Sequence, residues 1–234
     1  MKMAEKVSTG IAGLDEMLMG GIPKGHIAVV MGAFGTGKTT FGLQFINAGL
    51  SAGENCIFIS LEEDTKSILK SAETFGWNMQ KYFDEQKLGL YKLEPADAKN
   101  TVMRIKSELP SFIKESKATR VVLDSVSLLN MLFDTEQERR STLFNLCQLL
   151  RSTGCTALLT AEVKDDNPRS SRDGLVEYTV DGVILLNYDE PPNSSEGKLS
   201  IRILKMRRSE HSRRIKPYSI GKNGITVHAG SDNF

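Results

Sequence analysis

Residues Gly32-Ala33-Phe34-Gly35-Thr36-Gly37-Lys38-Thr39 leave this chain few folds to choose from. A glycine, four residues and then Gly-Lys-Thr is the spacing of a phosphate-binding loop. Glycines at Gly32, Gly35 and Gly37 let successive backbone N–H groups converge on a phosphate oxygen. Lys38 would reach the outer phosphates, the Thr39 hydroxyl would ligate Mg²⁺, and Thr36 and Thr40 flank the bound anion. The setting agrees. The apolar run His26-Ile27-Ala28-Val29-Val30-Met31 suits a buried strand before the loop. Thr40-Phe41-Gly42-Leu43-Gln44-Phe45-Ile46-Asn47 has helical apolar spacing, which aims a helix N-terminus at the ligand.

The same rhythm continues downstream. Strands are predicted at Asn55 to Leu61, Leu88 to Leu93, Arg120 to Asp124 and Thr156 to Thr160. Between them, helices are predicted at Thr65 to Phe75, Asn100 to Ser116 and Glu136 to Arg151. Upstream, a short helix should end at Gly20-Gly21. Strands alternating with helices of this length predict an α/β fold with a mostly parallel central sheet flanked by helices. From Val176 the pattern changes. Val180 to Tyr188, Lys198 to Arg208, Ile215 to Ile220 and Ile225 to His228 read as strands with short turns, including Glu190-Pro191-Pro192-Asn193. They predict a C-terminal antiparallel β extension within a single domain over residues 1–234.

The 234 residues carry a formal net charge of +1, so no global field favours nucleic acid or an anionic membrane. No apolar run reaches membrane-spanning length, and no basic flank precedes an apolar core at the start. The cysteines Cys56, Cys147 and Cys155 lack metal-ligand spacing. Buried free thiols in a reducing cytoplasm are the expectation. His26, His228 and Trp77 read as packing or surface residues, and the loop Lys164 to Gly174 as a connection or a binding segment.

Two groups of residues could complete a phosphate site. Asp124 ends an apolar strand, where a phosphate-loop protein places the acid that supports Mg²⁺. Glu62 and Glu63 follow another strand. Either they orient and deprotonate a water, or with Asp64 they are acids favoured at a helix N-terminus. The second group is cationic. Lys198 to Lys216 holds eight lysines or arginines and one acid, Glu210. Within it Lys205, Arg207, Ser209 and His211 alternate, and in a strand they would share a face with Leu199, Ile201 and Ile203. A solvated edge, cations for a phosphoryl group, and a nucleic-acid contact all fit that pattern.

Taken together these segments resemble the KaiC-like ATPases of the RecA-type phosphate-loop group. The resemblance rests on Ser8-Thr9-Gly10-Ile11-Ala12-Gly13-Leu14-Asp15, Gly20-Gly21-Ile22-Pro23-Lys24-Gly25, the phosphate loop and Leu61-Glu62-Glu63. Val122-Leu123-Asp124-Ser125, Val180-Asp181-Gly182-Val183-Ile184-Leu185 and Lys205-Met206-Arg207-Arg208-Ser209-Glu210-His211-Ser212 complete it. It spans nearly the whole chain and implies one KaiC-type domain with a RecA-like fold that uses ATP and Mg²⁺. It also implies that Glu62 and Glu63 are the catalytic carboxylates. Lys205 and Arg207, with Ser209 and His211 nearby, would be offered to a neighbouring subunit's nucleotide. That arrangement implies a homo-oligomer, usually a hexameric ring, holding ATP or ADP between protomers and acting on an unidentified protein partner. Two residues depart from the pattern. Arg208 stands where the family often has glycine, and Glu162 lies near the position of a polar γ-phosphate sensor. Alternatives are a non-hydrolysing, ATP-dependent assembly switch and a RecA-like DNA-binding module for recombination or repair.

Overall fold

A computed structural model describes residues 5–93, 107–164, 166–189 and 197–230. The turn expected at Glu190 to Asn193 and the first part of the helix expected from Asn100 lie outside them. At the centre is β3 (Ile27–Gly32), every residue of which is buried. Its apolar residues divide by parity. Ala28 and Val30 enter one core layer, while Ile27, Val29 and Met31 enter the other. A strand covered on both faces needs apolar side chains at both parities, which is why this run shows no polar alternation.

Among the described residues β3 is one of nine strands in a single sheet. The others are β4 (Cys56–Ser60), β5 (Leu88–Lys92), β6 (Arg120–Asp124), β7 (Thr156–Glu162), β8 (Gly182–Asp189), β9 (Lys198–Met206), β10 (Lys216–Gly221) and β11 (Gly224–Val227). Their spatial order is β11-β10-β9-β8-β3-β7-β6-β4-β5. From β8 to β5 all pairs are parallel, and from β8 to β11 all are antiparallel. The expected α/β architecture with a C-terminal antiparallel extension is therefore present. Two further strands, β1 (Lys6–Val7) and β2 (Ile22–Pro23), pair beside it.

The helix Lys38–Ser51 covers one face through Phe41, Phe45, Ile46 and Leu50, joined by Ile68 and Ala72 of the helix Thr65–Thr74. The other face is covered by the helices Leu109–Glu115, Val126–Met131 and Glu136–Thr153. Glu136–Thr153 starts in a reciprocal capping box between Thr135 and Glu138 and stops at Gly154 in the left-handed region. Trp77 is core, its ring 4.9 Å from that of Phe75. All three cysteines are buried free thiols, and no helix among the described residues is long and apolar enough to cross a membrane.

The antiparallel extension braces the phosphate loop. Gln44, inside the helix after that loop, donates to the carbonyls of Gly10 (2.9 Å) and Ile225 (3.1 Å) and accepts from the Ile225 N–H (2.7 Å). One amide thus ties the N-terminal segment and β11 to the helix. Tyr218 of β10 donates its hydroxyl to the Thr36 carbonyl at 2.7 Å.

One expectation about β9 fails. Ile184 pairs with Ile203, but Val183 pairs with Lys205, so a bulge at Leu204 inserts an extra residue. A bulge reverses the side-chain parity beyond it. Met206 joins Ile201 and Ile203 in their core layer, and Lys205 lies opposite Val183, which belongs to the other layer. The strand then ends at Met206, so Arg207, Ser209 and His211 do not extend an apolar face. Arg208 sits at φ 56°, the left-handed conformation for which glycine is favoured, so the turn keeps its shape without the glycine.

Candidate nucleotide site

The loop after β3 has the conformation its glycines allow. Gly35 and Gly37 have φ of 75° and 82°, and Gly37 forms the N-terminal boundary of the helix Lys38–Ser51. A Cβ on Gly35 would meet nothing within 4 Å, so open space lies over the loop. The Lys38 ammonium donates to the carbonyls of Gly32 (3.0 Å) and Ala33 (2.9 Å). Burial lowers its pKa, opposed by the charges of Glu162, Asp124 and Glu62. Thr36 is turned inward, its hydroxyl donating to the Ala33 carbonyl at 2.8 Å. What it can offer a ligand is its backbone N–H.

Asp124, at the end of β6, is buried and held by two hydroxyls. Thr39 donates to Oδ2 at 2.8 Å, and Thr160 of the adjoining β7 donates to Oδ1. Burial pushes its carboxyl upward, against both hydrogen bonds. The described residues contain no group of three or more His, Cys, Asp or Glu able to hold a metal. A single hydroxyl–carboxylate pair fits Mg²⁺, which keeps several waters and takes the remaining oxygens from substrate phosphates.

The structure separates the acids after β4. Asp64 caps the helix Thr65–Thr74 by accepting from the Ser67 N–H. Glu63 accepts from the Ser67 hydroxyl at 2.6 Å, so it is engaged with the same helix. Glu62 instead accepts from Ser125, next to Asp124, at 3.3 Å. Burial raises its carboxyl, with further upward pressure from Asp124 and Glu162, while Ser125 pulls it down. The helix-terminus reading thus describes Asp64, while Glu62 faces Ser125 and the charges around the loop. Glu162, at the end of β7, is paired with Arg172 at 2.7 Å and is also within electrostatic reach of Lys38.

Lys205, Arg207, Ser209 and His211 are elsewhere. Gly32 lies level with Leu186, whereas Met206 lies level with Gly182 and thus with Ala28. Four residues of strand put the cations about 13 Å from their own phosphate loop along the strand direction, at the opposite end of the sheet. There Lys205 donates to the carbonyls of Glu177 (2.9 Å) and Val180 (2.6 Å). Buried Asp181 accepts from the Ile27 N–H and gathers Arg151 (3.4 Å), Arg207 (3.7 Å) and Arg208 (3.8 Å). Lys6 donates to the Ser209 hydroxyl at 2.6 Å. His211 Nδ1 is buried with no hydrogen-bond partner among the described residues.

Thr160, Ser125, Asp181 and Tyr218 organise these two ends, and sequence reasoning assigned none of them a role. Asp181 carried a signal, an acid inside the run Val180 to Leu185. The other three are ordinary residues whose partners lie 36, 63 and 182 positions away.

Comparison with known proteins agrees with this geometry. The family model for the KaiC ATPase matches residues 7–232. A UPF0273 protein of Thermotoga maritima is 36% identical over 239 residues, covering 97% of each chain. The circadian clock oscillator protein KaiC of Prochlorococcus marinus is 32% identical, covering 96% of this chain but 45% of that protein. The crystal structure of a KaiC-like protein from Pyrococcus horikoshii superposes with a TM-score of 0.85 at 33% identity, covering 96% of this chain and 99% of that one. With its phosphate loop, its Thr39–Asp124 pair and a family match along nearly its whole length, this chain belongs to the KaiC-type, ATP-binding ATPases of the RecA-like fold.

Proposed function

We propose that this chain hydrolyses ATP with Mg²⁺ at sites completed between subunits, and that turnover is coupled to assembly of a homo-oligomeric ring, a hexamer by family resemblance. The observation that carries the reading is the meeting of Lys38, the Thr39–Asp124 pair and Glu62 at the ends of β3, β6 and β4. The amides of Gly32 to Thr40 would grip the phosphates, and Lys38 would leave its two carbonyls for them. Thr39 and Asp124 would support Mg²⁺, whose chemistry is to neutralise charge on the phosphate oxygens. Glu62 would orient the attacking water and take its proton, with Glu63 alongside.

The cations support the intersubunit part. A chain cannot bring Lys205 or Arg207 to its own loop across the length of its sheet, but a head-to-tail neighbour can. Ser209 and His211 would line the same contact. Three buried thiols fit a reducing cytoplasm. A nucleic-acid role is disfavoured by the near-neutral charge.

Mixing two defective variants tests this. Glu62→Gln lacks the base, and Lys205→Ala with Arg207→Ala lacks the cations. In a random one-to-one mixture about a quarter of the interfaces regain both intact partners. Phosphate release should reappear on mixing. Inactivity of the mixture, or full activity of the double alanine variant alone, would overturn the intersubunit assignment.

A further inference from the structure

Arg202 is one of the eight cations between Lys198 and Lys216, but it lies apart from the cationic turn. It pairs with Leu185, which is level with Met31, so along the strands it sits one residue short of Gly32. Only β8 stands between β9 and β3, a separation of roughly 10 Å. A cavity of about 380 Å³ occupies this end of the sheet, lined by Ala33 of the phosphate loop and by Arg169, Asn187, Asp189, Ser200 and Arg202 among others. On β9, Ser200 and Arg202 take the face opposite Ile201 and Ile203, which enter the core. Neither arginine side chain has an ion pair or hydrogen bond among the described residues, and Arg202 Nε is buried without a partner. Burial lowers the Arg202 pKa, and the charge of Arg169 lowers it further. Asp189, the carboxylate of this lining, is exposed and accepts from the Ser200 hydroxyl at 3.0 Å instead. Two cations held together beside a partly dry wall are unfavourable unless an anion joins them.

We propose that this cavity is a binding site for inorganic phosphate, held between Arg169 and Arg202 beside the phosphate loop. A phosphate dianion carries the charge that two guanidinium groups neutralise, and its oxygens accept from their forked donors. It would also give the buried Arg202 Nε an acceptor. The place suits the chemistry. Lys38 is the residue that reaches the outer phosphates of a bound nucleotide. Its ammonium lies 2.9 Å from the Ala33 carbonyl, and Ala33 lines the cavity. Phosphate cleaved from ATP would therefore be released next to the two arginines. The inference takes its source of phosphate from the hydrolysis proposed above and adds where that product is retained.

Equilibrium dialysis of radiolabelled inorganic phosphate against the chain saturated with Mg-ADP tests the site, because the phosphate loop is then filled. The parent should bind phosphate. Arg169→Met and Arg202→Met should each weaken that binding about tenfold or more, as expected when a charge-assisted contact is lost, with Mg-ADP affinity unchanged. Arg202→Lys keeps the charge but not the fork and should fall between parent and Arg202→Met. Arg169 is exposed, so its replacement does not put folding at stake. Absence of phosphate binding to the parent, or equal binding by both methionine variants, would overturn the proposal. So would an equal loss of affinity for a non-hydrolysable ATP analogue, since the arginines would then hold the γ-phosphoryl group before cleavage rather than the freed anion. Dialysis involves no turnover, so the two readings fail separately. A chain that hydrolyses ATP but binds no phosphate loses only this site, and one that binds phosphate without hydrolysing ATP keeps the site and loses the reaction.

Discussion

Replacing Glu62 and Glu63 one at a time by glutamine separates two acids that adjoin in sequence. Glu62→Gln preserves shape and an acceptor for the Ser125 hydroxyl, and removes only the charge. If Glu62 deprotonates water, turnover should fall about 10²–10⁴-fold, equivalent to roughly 3–5 kcal/mol of barrier. Glu63 is turned toward Ser67 on the neighbouring helix. Glu63→Gln should therefore cost less than about threefold. The pH profile gives an independent reading. Burial and the charge of Asp124 hold the Glu62 carboxyl above its ordinary range. Because the base works as its anion, turnover should rise with pH along a limb displaced upward from that of a free carboxylate. Ser125→Ala removes a hydrogen bond that favours the anion and should push the limb higher. Glu162→Gln removes a nearby negative charge and should bring it lower. Phosphate release at saturating Mg-ATP, followed across the acid range, measures all of these. Parental turnover in Glu62→Gln, or an equal loss in Glu63→Gln, would refute the assignment.

Two further outcomes follow from named contacts. Lys38→Ala should weaken ATP binding by about a hundredfold or more in calorimetry, since a charge-assisted contact to phosphate is lost. Its unfolding midpoint should fall only slightly, because the Ala33 carbonyl it releases still accepts from the Thr36 hydroxyl. Arg120 is nearly inaccessible and donates to both Glu54 oxygens and to the carbonyls of Ser8 and Phe45. Arg120→Met should cost about 3–5 kcal/mol in urea unfolding, the price of stranding buried partners. Burial alone would raise the Glu54 carboxyl, but the hydrogen bonds from Arg120 and Thr119 outweigh it and hold it below its ordinary range. A depressed folded-state pKa gives stability that is present above the unfolded chain's carboxylate pKa and lost as pH falls through the folded value. The gap between parent and variant should accordingly narrow in acid.

Much of this protein is written locally. The residues from His26 to Asn47 specify strand, loop and helix by composition and spacing alone, because a buried parallel strand must be apolar at both parities and a phosphate loop needs glycine at fixed offsets. Asp124 was legible for the same reason, as an acid closing an apolar run. Periodicity also gave the change from parallel to antiparallel order. It failed at Leu204, where a bulge depends on how β9 meets β8 rather than on any residue in β9. Tertiary structure alone decided that Glu62 and not Asp64 turns toward Ser125, and that Thr160 secures Asp124 from another strand. It also put the cationic turn at the end of the sheet remote from its own phosphate loop. Spacing along a chain fixes which face a side chain takes within one element. Which end of a sheet it reaches, and what it meets there, depends on register between segments far apart in sequence.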